Sequence, residues 1–330
     1  MLFRSFVVTS DTIAILDLGM RRQELARLVD FTRSVLTPRP PLRDAERGSD
    51  SLWRAPLRRL QAALIAPVEA TGLLAGKSEL VLVPHAELQY LPFAALMDTT
   101  GRFLVQRYEL ALTPSASVWI ALGDRPAGPA GAGVLAFAPR PATLPGASQE
   151  VATIQRLAGA DAQVLSGSNA TESAFRRLAP SRRVLHLATY GVLNKQNPLF
   201  SFVKLAPDGA EDGRLEVHEV FGLHLAADLV VLSACQTGLG SGALADVPAG
   251  DDWVGLTRAF LHAGARHVVA TLWPVDDWAT AALMERFYGA GDVAAEPAHA
   301  LAEAQRALIA VPATAHPFYW AGFVSVGGSQ

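Results

Sequence analysis

The 330-residue chain is short of several things, and each shortage closes off a class of protein. It holds a single cysteine, Cys235, so no disulfide framework can form within it and a reducing, cytoplasmic setting is expected. No stretch approaches the ~18 consecutive apolar residues of a membrane span. The opening "MLFRSFVVTSD" has too short an apolar part for a signal peptide and lacks a small-residue cleavage site. Charge is sparse: 18% of residues are charged and the net charge is −3, so neither nucleic acid nor an anionic membrane is an expected partner. HExxH, CxxC and GxSxG do not occur and the histidines lack ligand spacing, so neither a metal nor a cofactor is expected. "GLGSG" lacks the Gly-Lys-Ser/Thr of a P-loop, and "GAGVLAF" places its glycines before a strand where a dinucleotide fold needs them after it.

What is there is a well-filled apolar interior. Hydrophobic residues make up 50% of the chain and mean hydropathy is +0.24, which excludes disorder and gives room for a large core. Strand-like and helix-like stretches alternate, the pattern of an α/β sheet. "SFVVTSDTIAILDLG" reads as a hairpin turning at Ser10-Asp11. Helices are predicted over 21–36, 51–72 (with Pro56 and Pro67 at kinks or ends), 147–159, 171–179 (capped by Thr171 or Asn169), 252–264, 276–289 and 297–311. Strands are predicted at 79–84, 108–114, 134–139, 163–167, 184–194, 199–207, 267–273 and 320–328, and the strongly apolar "ADLVVLSACQTGLG" (227–240) opens on another. The run "GDRPAGPAGAG" (123–133) is the candidate linker. Trp253, Trp273 and Trp278 read as packing residues.

Two stretches carry chemistry. In "ADLVVLSACQTGLGSG" a buried strand runs into Ser-Ala-Cys and then a glycine-rich turn. The carboxyl end of a parallel strand is where open α/β sheets place their ligand sites, and a thiol there is rigidly backed and open in front. Backbone N–H groups of the turn could line an oxyanion pocket, and the thiol would need a base or cation nearby. The competing reading is a small buried hydrophobe, the usual fate of a free cysteine. In "VLHLATYGVLN" alternation puts His186, Ala188 and Tyr190 on one face, with Gly191 breaking the pattern.

Taken together these blocks resemble the CHAT domain, a caspase-like, separase-related cysteine peptidase family often attached to tetratricopeptide repeats. "LVLVPHAELQYLPFAAL", "LTPSASV", "VLHLATYG", "LVVLSACQTGLG", "DDWVGLTRAFLHAGARHVVATLWPVDDWATAALMERFY" and "HPFYWAGFVSVGG" occur in the family's order. The resemblance implies a mostly parallel caspase-like sheet flanked by helices. It also implies an N-terminal pseudo-caspase-like subdomain (1–128) before the catalytic subdomain (129–330). By resemblance Cys235 is the nucleophile, and the dyad histidine's position is occupied by Tyr190, with Gly191 and Ala234 beside them as substrate-contacting residues.

That tyrosine is the central departure. A phenol titrates near pH ~10 against ~6.5 for imidazole, so it is a poor base, and losing general-base help costs about 10²–10⁴-fold. His186 lies four strand residues away, about 13 Å along the backbone, and cannot stand in. His218, His224, His262 and His267 have no spacing that points to the site. Asp276 or Asp277 in "LWPVDD" stands where related enzymes place an acid that holds a basic substrate side chain, although both also fit as helix caps. The expectation is a cysteine endopeptidase of protein substrates, inactive or crippled as written, or else a pseudopeptidase that binds a peptide or partner without cutting. Because the chain opens at or near the domain, a regulatory partner protein is expected to be separate.

Overall fold

The computed structural model describes residues 2–39, 52–125, 131–140, 142–194, 196–236 and 253–328. An N-terminal hairpin (β1, Leu2–Val8; β2, Ile13–Arg21) leads into α1 (Arg22–Leu36), α2 (Arg54–Leu64) and α3 (Ala66–Glu69). Next come β3 (Glu79–Leu82), β4 (Glu109–Leu112), α4 (Ala116–Gly123), β5 (Val134–Ala138), α5 (Pro145–Ala158), β6 (Ala162–Ser166), α6 (Glu172–Leu178) and β7 (Val184–Val192). Then follow β8 (Phe202–Lys204), β9 (Arg214–Glu216), α7 (Val217–Val220), β10 (Leu229–Gln236) and α8 (Trp253–Ala263). The chain ends with β11 (His267–Thr271), α9 (Asp277–Gly289), α10 (Pro297–Ile309) and β12 (Phe323–Gly327).

Apart from the hairpin, the strands form one sheet in the order β3-β4-β12-β11-β10-β7-β5-β6, with β8 and β9 extending the end of β7. Every pair along that order is parallel except β11–β12. Helices cover the sheet, so this is the α/β architecture that the alternation predicted, with the mostly parallel sheet that the resemblance implied. The central strands read as unbroken apolar runs because both faces are covered. Leu229, Val230, Val231 and Leu232 of β10 are all buried, as are Leu185 to Thr189 of β7.

The two faces of β7 enter different packing. Leu185 and Leu187 join the main core, where Phe137, Phe175 and Phe260 meet edge-to-face at centroid separations of 5.6 and 6.5 Å. Burying each such ring contributes roughly 1.5–3 kcal/mol. Ala188 on the other face packs with Ala136 and Ala138 of β5 under Ala147, Val151 and Ile154 of α5. Small side chains there let α5 sit close to the sheet.

Local signals set the element ends. Thr171 caps α6 by accepting from the Ala174 amide at 3.1 Å, and Pro56 and Pro67 fall in the first turns of α2 and α3, where no amide partner is lost. The strand predicted over 199–207 is cut to three residues, because Pro198 opens a 3₁₀ turn through Phe200 and has no amide for a ladder. Trp273 is buried as expected, whereas Trp278 is exposed on α9; the Trp253 side chain lies outside the described residues. So do residues 126–130, where the candidate linker and the 128/129 boundary fall, although α4 continues into the linker's first residue, Gly123.

Candidate functional site

β10 lies beside β7 in a register that sets Cys235 against Tyr190, Ala234 against Thr189 and Gln236 against Gly191. Four residues singled out from two separate stretches therefore end on adjacent strands, about 4.8 Å apart, at the carboxyl edge of the sheet. Parallel pairing brings this about: two apolar strands that stop together present their last residues at one rim. Among the described residues, a Cβ added at Gly191 would meet the Phe202 carbonyl at an ordinary 3.5 Å.

Tyr190 is half-buried and engaged. Its hydroxyl oxygen accepts from Arg140 Nη1 at 2.8 Å, and the guanidinium carbon stands 5.3 Å from the ring centroid, in cation–π range. Arg140 follows β5, the strand on the other side of β7, so it rises from the same rim. The guanidinium donates to the phenol oxygen while the phenol keeps its own O–H as a donor, so the pair presents donors at the rim. Sequence reasoning missed Arg140. Its signal was a cation just past the end of "VLAFAP", on the edge where ligands bind.

His186 is fully buried and occupied. Its Nε2 lies 3.1 Å from Glu150 Oε2 on α5, and its Nδ1 lies 3.0 Å from the Tyr288 hydroxyl on α9. A carboxylate only accepts, so Nε2 carries a proton; the Tyr288 hydroxyl then satisfies Nδ1. Burial first, and Glu150 second, push the Tyr288 phenol well above its usual range, keeping it protonated. The triad ties strand to both helices and leaves His186 no freedom to reach the rim. Elsewhere His218 pairs with Glu216 at 2.7 Å, His262 packs edge-on to Phe221, and His267 is buried.

The two aspartates divide. Asp276 caps α9, accepting from the Ala279 amide at 3.0 Å, and its other oxygen meets Arg39 at 2.9 Å. Asp277 instead accepts from the Gly146 amide at 2.6 Å, capping the first turn of α5 from outside. A Cβ at Gly146 would stand 2.4 Å from the Asp277 carbonyl, so only glycine permits this approach. Glu172, Glu211 and Glu219 bring carboxylate oxygens within 4.8 Å of one another, but Arg176 sits among them and answers their charge.

The sequence matches the CHAT domain over residues 54–328. The chain belongs to the CHAT domain family. Its curated relatives include tetratricopeptide repeat protein 28 of Mus musculus, 28% identical over 85% of this chain, and that of Homo sapiens, 27% identical over 90%. This chain spans only 14% of the length of either. Among solved structures, the separase–securin complex of Saccharomyces cerevisiae superposes at a TM-score of 0.52, with 13% identity over 76% of this chain and 15% of that one. The complex of the pro- and mature domains of Porphyromonas gingivalis RgpB gives 0.50, with 9% identity over 92% of this chain and 75% of that one. These likenesses show a caspase-like fold for the CHAT domain. No helix among its described residues is long and apolar enough to cross a membrane.

Proposed function

We propose that this CHAT domain is a caspase-like cysteine endopeptidase with its base replaced, holding a protein segment at the β7–β10 rim and cutting it slowly or not at all. Cys235 is the nucleophile, Tyr190 stands in the base position, Gly191 and Ala234 line the substrate path, and Asp276 receives a basic side chain. The observation that carries the reading is the register placing Tyr190 beside Cys235, with the phenol already bonded to Arg140. A base must be free to take the thiol proton, and Tyr190 accepts from a cation while His186 is locked between Glu150 and Tyr288. The same donor-only pair favours the second reading, a pseudopeptidase that binds a peptide without cleaving it. The separase–securin complex among the structural neighbours fits a protein as ligand or partner; a separate regulatory protein and a cytoplasmic setting belong to the same proposal. Division into a front subdomain (1–128) and a catalytic one (129–330) belongs to the same proposal.

The test is protein cleavage and thiol labelling by the full chain and by its Tyr190→His variant, each with a Cys235→Ala control. Tyr190→His is expected to raise Cys235-dependent cutting by about 10²-fold or more, the worth of a general base. If it labels and cuts no better, position 190 is not the base site. Vigorous Cys235-dependent cleavage by the unaltered chain rules out the pseudopeptidase reading.

A further inference from the structure

Asp276 is the one carboxylate proposed for a basic ligand, and the chain already supplies it with a cation. Its side chain is 7% exposed, with one oxygen spent on the α9 cap and the other on Arg39. A carboxylate so far removed from water needs a positive partner. That partner arrives from a distant part of the chain. The last turn of α1 is pinned to the end of β11 by Arg33, whose Nη1 donates to the Tyr90 carbonyl at 2.9 Å and Nη2 to the Leu272 carbonyl at 3.2 Å. Thr37 closes the helix on the Arg33 carbonyl, through its amide and its hydroxyl, two residues before Arg39. Arg39 therefore reaches Asp276 from an anchored base, while its own side chain stays 63% exposed.

Resting on the reading of Asp276 as a receptor for basic side chains, we propose that Arg39 is an internal occupant of that receptor. It holds the place of an incoming arginine or lysine and must leave before one binds. The asymmetry of burial fits a displaceable ligand: the receptor is enclosed, and the occupant's side chain is solvated. Releasing the solvated Arg39 side chain costs it little, and an incoming arginine or lysine restores the positive partner that the enclosed carboxylate needs. Occupancy lowers apparent affinity in proportion to the fraction of molecules left open.

The test is fluorescence anisotropy with a labelled peptide carrying one arginine and a matched peptide carrying citrulline, on the full chain with Cys235→Ala to prevent turnover. Arg39→Gln is expected to tighten the arginine peptide at least threefold and leave the citrulline peptide unchanged. Asp276→Asn, which keeps a good helix cap, is expected to abolish the preference for arginine. Arg27→Gln removes a charge from the exposed face of α1 and is expected to change nothing. If Arg39→Gln has no effect while the preference still depends on Asp276, Arg39 is not the occupant; equal tightening by Arg27→Gln also overturns it, as an effect of net charge. If no variant prefers arginine, the reading of Asp276 itself fails.

Discussion

Lowering the pH should expose a weakness at His267 whose size follows from its burial. The residue opens β11 between Leu229 of β10 and Gly327 of β12, and its side chain is only 7% exposed. The ring lies so close to Gly327 that a Cβ there would stand 2.3 Å from Nδ1. Burial, aided by Arg266 and opposed by Asp228, lowers its pKa from 6.5 to about 4. The unfolded chain thus takes up a proton near pH 6.5 that the folded chain refuses until about pH 4. Stability is full above that window and falls as the pH drops through it. The 2.5-unit gap (6.5 less 4) at about 1.4 kcal/mol per unit comes to about 3 kcal/mol. The assay is urea unfolding of the wild type and His267→Gln near pH ~7 and near pH ~4. Carboxylates held low, such as Asp98 and Asp292, or high, such as Glu79 and Glu172, act equally in both proteins and cancel in the difference. The variant is expected to lose about 3 kcal/mol less than the wild type over that range. Parallel acid limbs in the two proteins would refute the reasoning.

The Glu150–His186–Tyr288 triad should show the asymmetry of buried polar groups. His186→Leu is expected to cost about 3–5 kcal/mol, because it strands a carboxylate that is 3% exposed; Glu150→Leu with His186→Leu should cost less than His186→Leu alone, as read by denaturant unfolding. Tyr288→Phe removes one hydroxyl and is expected to cost about 1–3 kcal/mol in the same measurement. Gly146→Ala drives a methyl group into the Asp277 backbone, so thermal unfolding should report a loss of about 1–3 kcal/mol as α5 is pushed off α9.

The groups that order β7 are separate from those to which the proposed function gives a chemical role. The triad beneath the rim fixes β7 against α5 and α9, whatever stands at position 190. At the rim itself Arg140 engages the Tyr190 phenol. Stability and catalysis are separable here, because the groups that hold the strand are not the groups that would move a proton.

Much of this was legible in the chain itself. Alternation and unbroken apolar runs located nearly every strand and helix, since both signals are local consequences of covering one face or two. The "SACQTG" and "HLATYG" stretches named Cys235 and Tyr190, and the capping chemistry of Thr171 and Asp276 is likewise a matter of a few neighbouring residues. Tertiary structure alone decided that Arg140 covers Tyr190, that His186 closes a buried triad, that Asp277 caps α5 rather than α9, and that Arg39 reaches Asp276. Each is a contact between residues distant in sequence, made by side chains whose partners depend on strand order and helix packing. No local periodicity records them, because polar groups at a sheet's rim are placed by the fold that carries them there.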